Sequence, residues 1–411
     1  MALFLGEIRG EVAQWSRTAD LLDRFQAELK EELSGMRPEE RLAELHRCRE
    51  TIREELQREE WYREAFRSSA ERIAAVDGPE SLALAVNEAY GHAADYFGIR
   101  HSVVAVHAVC SSIMDLAVQA ALYHAERLLA ATGRTAPAPW SWLACGDHGR
   151  RECSLNRELS GVLCWEGMAD GATAYFSTLA GMATAMLLEA GFANRDALLP
   201  SNPSWRGSLD DWRNRLASSR WVAANPAFFA DLRHLHGAPG PAVALIRLIR
   251  ETQLSRDNGV RTRSRRRSLR ELARIVASFP AGIDLFGRFR TEKSGPYRKR
   301  FNLGLYGIEP LVSSVRLLAI CRETVGTGTV DRIRELQEKE RLSVDLAERL
   351  LTSWHAFLRL QIANEAAGMP AEGSRFVEIG TLSAEEQQRL KAGLEAVEQL
   401  QMVVYQTLEP A

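Results

Sequence analysis

The chain has 411 residues, 46% of them hydrophobic and 26% charged, with a formal net charge of -2. These are ordinary globular values that allow two or three domains with cores of their own, and so even a charge balance excludes a global field drawing the whole chain to nucleic acid or a membrane surface. Six cysteines (Cys48, Cys110, Cys145, Cys153, Cys164 and Cys321) are scattered without a CxxC pair, which argues against a disulfide scaffold or a structural zinc site and for reduced thiols.

In chain order, the opening MALFLGEIRGEVAQW lacks a basic n-region and a long apolar core, so no signal peptide is expected. No apolar run approaches the ~18 residues of a membrane span, and a cytoplasmic protein is expected. Leu21, Leu22, Phe25, Leu29 and Leu33 recur at helical spacing. Pro38 opens a second helix, with Glu39 and Glu40 in its first turn, where the helix dipole favours negative charge. Further helices are predicted over 81–96 and 101–131, the latter capped by Gly133. After the connector TAPAPW (135–140), short apolar runs at 140–145 and 161–165 read as buried strands. A helix over 175–189, a Pro- and Trp-rich loop over 200–212 and a third strand over 228–235 complete a small α/β core. Helical patterns then cover 241–255, 262–278, 309–324, 329–340, 344–366 and 383–407. The expected architecture is a predominantly helical α+β protein: a helical N-terminal region (1–134), an α/β core (135–255) and a helical C-terminal bundle (256–411).

The stretch WSWLACGDHGRRECSLNRELSGVLCW (140–165) carries the chemistry. It resembles the signature of polymerase-beta-type nucleotidyltransferases. In that signature a strand ends in Gly-Ser, an Arg and a Glu follow, and an Asp-x-Asp stands on the next strand. Glycine lets the backbone approach a triphosphate, whose terminal phosphates backbone N–H groups and the Ser hydroxyl hold. Aspartates at i and i+2 of a strand share one face and bind magnesium, which requires hard oxygen ligands. A third carboxylate from a later strand completes a two-metal site for in-line attack on the α-phosphate.

The resemblance is closest to a bacterial nucleotidyltransferase family related to the PII-protein uridylyltransferases and often fused to CBS-pair or cyclic-nucleotide-binding modules, none of which is expected here. SNPSWRGSLDDW (201–212) matches the family's Asn-Pro-x-Trp-Arg-x-Ser-Leu-x-x-Trp pattern. FFADLRHLHG (228–237) matches its Phe-x-Asp-x-Arg strand, and LYGIEPLVSSVRLLA (305–319) and LKAGLEAVEQLQ (390–401) match its C-terminal substrate-binding domain. Together these cover roughly residues 85–405.

The resemblance implies roles residue by residue. Gly146, Gly149, Arg150 and Glu152 fall on family positions, and Arg150 with the neighbouring Arg151 would contact phosphate. Trp205 and Arg233 support the motif. Glu158 stands for the first metal aspartate, Ser160 for the second, and Asp231 for the carboxylate of the later strand; Glu158 and Asp231 would hold magnesium in an active enzyme, with Ser160 a weak or lost ligand. Asp147 replaces the phosphate-binding Ser, and Gly304 stands where a Lys is expected beside the Gly-x-x-Pro motif.

These departures have a cost. Two unit charges 4 Å apart at an effective dielectric of 20 repel by roughly 4 kcal/mol, which sets Asp147 against a phosphate by on the order of a thousandfold in affinity. His148, Arg150 and Arg151 stand near enough in sequence to offset part of it. Ser160 exchanges a charged ligand for a neutral one. Phosphate cradling and metal binding are weakened together, so the expectation is a catalytically impaired regulatory or interaction protein. Its partners would be a protein or a nucleoside triphosphate, with neither membrane nor nucleic acid. The competing expectation is an active magnesium-dependent uridylyl- or adenylyltransferase-like enzyme acting on a protein or small molecule.

Other features take their plainer reading. The arginine run 261–274 reads as a solvated helix start pairing with local Glu, against the alternative of an anionic partner (RNA, a nucleotide or an acidic protein face). RNA is disfavoured because the run lacks the interleaved aromatics of single-strand binders. The basic PYRKRFN (296–302) reads as a loop, with phosphate binding as its alternative. Trp205 and Trp212 are core anchors. His234 and His236 lack a further clear ligand, and Cys145, Cys153 and Cys164 are small buried residues.

Overall fold

The computed structural model describes residues 37–251, apart from 168, 194–197 and 226–229, together with 269, 272–284, 286–322 and 324–408. The Leu21–Leu33 stripe and most of the 261–274 run lie outside these residues. α1 (Pro38–Ala74) starts at the proline, which has no N–H to leave unsatisfied, with Glu39 and Glu40 in its first turn. α2 (Pro79–Arg100) packs against it through Tyr62, Phe66 and Tyr96, whose rings meet at 4.9–6.1 Å. α3 (Val103–Ala131) is capped by the Ser102 hydroxyl, which accepts from the Ala105 N–H, and ends before Gly133 at φ 76.

α3 corrects one expectation. It is long and apolar enough to cross a membrane, with a mean hydropathy of 1.6, and so is the Gly304–Arg322 run at 1.3. Two thirds of each apolar window is buried inside the protein, which makes both of them core helices.

β1 (Trp140–Ala144) and β2 (Gly161–Trp165) are buried at every position, which is why they read as continuous apolar runs. They pair antiparallel, Trp140 opposite Trp165 and Ala144 opposite Gly161. The sheet has four strands in the order β3-β2-β1-β4. β4 (Arg233–Gly237) runs antiparallel to β1 with an irregularity between Trp142 and Leu143. β3 (Arg206–Ser208) runs parallel to β2. α4 (Ala172–Glu189) packs with α3, and α6 (Pro239–Ile249) lies over β1, β2 and β4.

Two expectations change here. The 200–212 segment is not a plain loop: it holds a 3-10 turn (Pro203–Trp205), β3 and the start of α5 (Leu209–Leu216). The missed signal was a capping box, in which the Ser208 hydroxyl accepts from Asp211 N–H and the Asp211 carboxylate accepts from Ser208 N–H. The later strand begins at Arg233 rather than 228, so Asp231 stands before the strand and not within it. It ends at Gly237, where φ is 84 and a Cβ would lie 2.4 Å from the Trp140 carbonyl oxygen.

In the C-terminal half, β5 (Phe301–Asn302) leads through a π-helical turn (Gly304–Ile308) into α7 (Glu309–Arg322). α8 (Thr329–Glu338), α9 (Val344–Ala366) and α10 (Ala384–Leu408) follow, and β6 (Phe376–Val377) pairs with β5. One continuous set of buried apolar residues runs from Ile73 to Val404, so the sheet and the C-terminal helices share a core.

Candidate functional site

β1 leads directly into a single helical turn, Gly146–Gly149. Gly146 takes φ 58, which a side chain disfavours. Gly149 is fixed by space instead: a Cβ there would sit 1.7 Å from the backbone oxygen of Asp231. The two glycines therefore bring the Asp147–Glu152 turn against the segment entering β4.

At that contact lies a closed charge cluster. Asp231 is fully buried. Its Oδ2 accepts from Arg150 Nη1 (2.8 Å) and from Arg316 Nε and Nη2 (3.0 and 2.8 Å), and its Oδ1 accepts from Arg332 Nη1 (2.7 Å). Burial alone would raise this carboxyl, but Arg316, Arg332 and Arg150 hold it far below the usual carboxylate range. Arg150 is equally occupied, donating through Nε to Glu152 (2.6 Å) and through Nη2 to Asp147. Arg332 also donates to the Ala230 and Gly326 carbonyls. Three guanidiniums and the carboxylates of Asp147, Glu152 and Asp231 balance one another.

A second buried network stands behind the first. Asp115, on α3, accepts from both Nη1 and Nη2 of Arg233 (2.9 and 2.7 Å) and meets His148 Nε2 at 2.7 Å. Burial pushes the Asp115 carboxyl up, yet His148 and Arg233 bring it down to about 2. His148 is thus paired with Asp115 and does not neutralise Asp147. Arg151 adopts φ 57 and points toward Asp115 at 4.0 Å.

The remaining motif positions lie around Asp147, whose side chain stays half-exposed (51%). Its crowded surroundings push its carboxyl up, and the guanidiniums of Arg150 and Arg375 pull it below its usual range. Glu158 forms an isolated parallel bridge with Ala193, and the Ser160 hydroxyl donates to the Cys145 carbonyl at the end of β1. Arg375 donates to Glu309 (3.1 Å), and its stem fills the space beside Gly304, where an added Cβ would be 3.0 Å from Arg375 Cδ. A cation thus enters from position 375, not 304. Among the described residues no three His, Cys, Asp or Glu side chains are grouped to hold a metal ion. His236 meets Glu126 at 3.1 Å instead. Trp205 and Trp212 are buried, with Trp212 Nε1 donating to the Leu163 carbonyl (3.2 Å). Burial pushes the Cys145 and Cys153 thiols up to about 12.

Two more ties fasten the motif to the C-terminal helices. Glu152 Oε1 accepts from the Thr329 N–H (2.5 Å) at the start of α8. Glu365, on α9, accepts from Ser154 Oγ, Leu155 N–H, Asn156 Nδ2 and Gln361 Nε2 at 3.2, 3.0, 2.6 and 2.7 Å. Burial raises its carboxyl to about 7 even against these donors. An unfolded glutamate titrates near about 4.3, so between these values the folded protein holds a proton that the unfolded chain has released. The stability this gives is present on the acid side and lost as pH rises through about 7. Thermal unfolding at pH 5.5 and 8 is therefore expected to show a fall in Tm for the native protein that is smaller in Glu365→Gln; equal falls in both would refute this assignment.

Residues 89–226 match the family model described as Putative nucleotidyltransferase DUF294, and residues 266–408 match the one described as Putative nucleotidyltransferase substrate binding domain. The chain belongs to this nucleotidyltransferase family. No curated protein matches it. The first family match spans the Gly146–Glu152 turn and the Glu158–Ser160 positions; the second spans Arg316, Arg332, Glu365 and Arg375. Asp231 falls between the two. The cluster is therefore built from both family domains and the segment joining them.

Sequence reasoning missed Arg316, Arg332, Asp115, Glu365 and Arg375. Two of these carried a signal. Arg316 interrupts the apolar run PLVSSVRLLAI and Asp115 interrupts VVAVHAVCSSIMDLAV, and a lone charge in an apolar helix face needs a buried partner. Arg332, Glu365 and Arg375 lie in ordinary polar contexts.

Proposed function

We propose that this member of the nucleotidyltransferase family is catalytically impaired and serves in the cytoplasm as a regulatory or interaction protein. The observation that carries the reading is the occupation of Asp231 by Arg150, Arg316 and Arg332. A carboxylate that is to hold a divalent cation must turn its lone pairs toward an ion; those of Asp231 are taken by guanidiniums. Ser160 donates its proton to the Cys145 carbonyl, and among the described residues no three His, Cys, Asp or Glu side chains are grouped to hold a metal ion. Magnesium does not fit this donor set. The phosphate side is weakened as well, because Arg150 is bound by three carboxylates and Asp147 keeps a half-exposed negative side chain on the turn after β1.

Calorimetric titration of magnesium with ATP, GTP, UTP and CTP in turn tests the reading. The native protein is expected to bind none of them, and the Asp147→Ser, Glu158→Asp, Ser160→Asp variant is expected to gain measurable binding. Magnesium-dependent nucleotide transfer by the native protein, abolished in Glu158→Ala, would falsify the proposal and establish an active transferase.

A further inference from the structure

Between β4 and β5 the chain makes a small antiparallel ribbon that is strongly basic. Residues 281–300 contain Arg288, Arg290, Lys293, Arg298, Lys299 and Arg300 against only Asp284 and Glu292, in a chain whose net charge is -2. The ribbon is held by backbone pairing. Ile283 bridges Phe289, Thr291 bridges Phe301, and Glu292 and Lys299 donate their N–H groups to Arg300 and Glu292 carbonyls at 2.9 and 2.8 Å. Its aromatic side faces inward, Phe289 meeting Phe301 at 5.5 Å and Tyr297 stacking on Phe376 at 4.0 Å. Side chains alternate along a strand, so Arg288 and Arg290, flanking Phe289, face outward, and both are exposed.

Two carboxylates, Asp284 and Glu398, lie within electrostatic reach of Arg288 and Arg290 without forming an ion pair with them. The Asp284 carboxylate is spent on the ribbon's own turn, accepting from the Phe286 and Arg288 N–H groups (2.9 Å each). None of the six cations forms an ion pair within 4 Å of a carboxylate among the described residues. At the tip, beside Gly287 (φ 72), Phe286 is 83% exposed. A phenyl ring held out on a tight turn beside guanidiniums has the composition of an interface anchor with its steering charges.

We infer that this ribbon docks an acidic protein face carrying an apolar pocket for Phe286. The alternative polyanion, single-stranded nucleic acid, is recognised by successive stacking rings, and here Phe289, Phe301 and Tyr297 are all consumed by internal packing. The ribbon lies within the 266–408 match to the substrate-binding domain and runs straight into β5, beside Arg375 and the half-exposed Asp147. A protein held there would lie beside Arg375, which neighbours the Asp147 turn. The inference rests on the reading of the chain as an interaction protein, but the ribbon contains none of the motif residues, so the nucleotide titrations and the docking test fail independently.

The test is fluorescence anisotropy with two labelled probes, a Glu/Leu repeat peptide and oligouridylate, at low and at physiological salt. The peptide is expected to bind the native protein more tightly than the oligonucleotide. Binding should weaken by about tenfold or more in Arg288→Glu with Arg290→Glu and severalfold in Phe286→Ala. It should be unchanged in Arg53→Glu with Arg63→Glu, which makes the same charge change on exposed positions of α1. Circular dichroism confirms that each variant is folded. Tighter binding of oligouridylate, no binding of the peptide, or equal weakening by the α1 variant overturns the inference, and indifference to Phe286→Ala removes the apolar anchor from it.

Discussion

Asp231→Ala is expected to destabilise the protein by about 3–5 kcal/mol, the cost of removing one partner from a buried ion cluster. The loss does not reflect a strong net attraction. Arg150, Arg316 and Arg332 would stay buried with their most central carboxylate gone, at side-chain exposures of 5%, 8% and 3%. Asp231→Asn keeps the shape but not the charge and is expected to fall between native and Asp231→Ala. Urea unfolding at neutral pH reads the difference. Adding Arg316→Met to Asp231→Ala should recover part of it, because one uncompensated cation is removed with the anion. If Asp231→Ala is neutral, the cluster is not a structural element and the argument against magnesium loses its basis.

The second large effect is expected at Gly149. In Gly149→Ala the methyl carbon would be placed 1.7 Å from the Asp231 carbonyl oxygen and 3.1 Å from that of Ala144. Both obstacles are backbone and cannot turn aside as a side chain can. The turn after β1 and the segment entering β4 must separate, which draws Asp231 away from its arginines. A loss of more than about 4 kcal/mol, seen as failure to accumulate folded protein or a collapse of Tm, is expected. Gly91→Ala, in an open position on α2 with nothing within 4 Å, is the matched control; it should raise stability by about 0.5–1 kcal/mol through helix propensity alone. A tolerated Gly149→Ala would mean that the two segments are not held this close in solution.

Much of the fold is legible in the sequence, for local reasons. The strand at 161–165 and the helix at 344–366 are bounded by their own residues, the first by an apolar run between polar clusters and the second by the Ser343 cap, whose hydroxyl accepts from Leu346 N–H. The helical excess and the small sheet followed from such periodicities. β3 escaped because three residues, Arg206-Gly207-Ser208, are too few to show a period and owe their conformation to β2 beside them. The strand near Asp231 was misplaced because its start is decided by pairing with β1, not by its own alternation.

The site is less legible. Gly146, Gly149, Arg150 and Asp231 could be singled out, and they do come together. What they do there depends on Arg316 and Arg332, which stand 85 and 101 residues further along the chain from Asp231. No local pattern announces a contact at that separation. The same holds for Arg375, which fills the space left at Gly304 from beyond α7, α8 and α9 in the chain.

The ties between the motif and the C-terminal helices also bear on how the chain acquires its structure. The Thr329 N–H reaches Glu152 across 177 residues, and Glu365 reaches Leu155 across 210. During synthesis from the N-terminus, Asp147, Glu152 and Asp231 emerge with Arg150 alone among them. Their other cations, on α7 and α8, do not yet exist. The nascent sheet must therefore keep this acidic corner hydrated and open, and it can dry and close only when the last third of the chain arrives. The motif is in this sense a late-folding element whose completion waits on α7, α8 and α9.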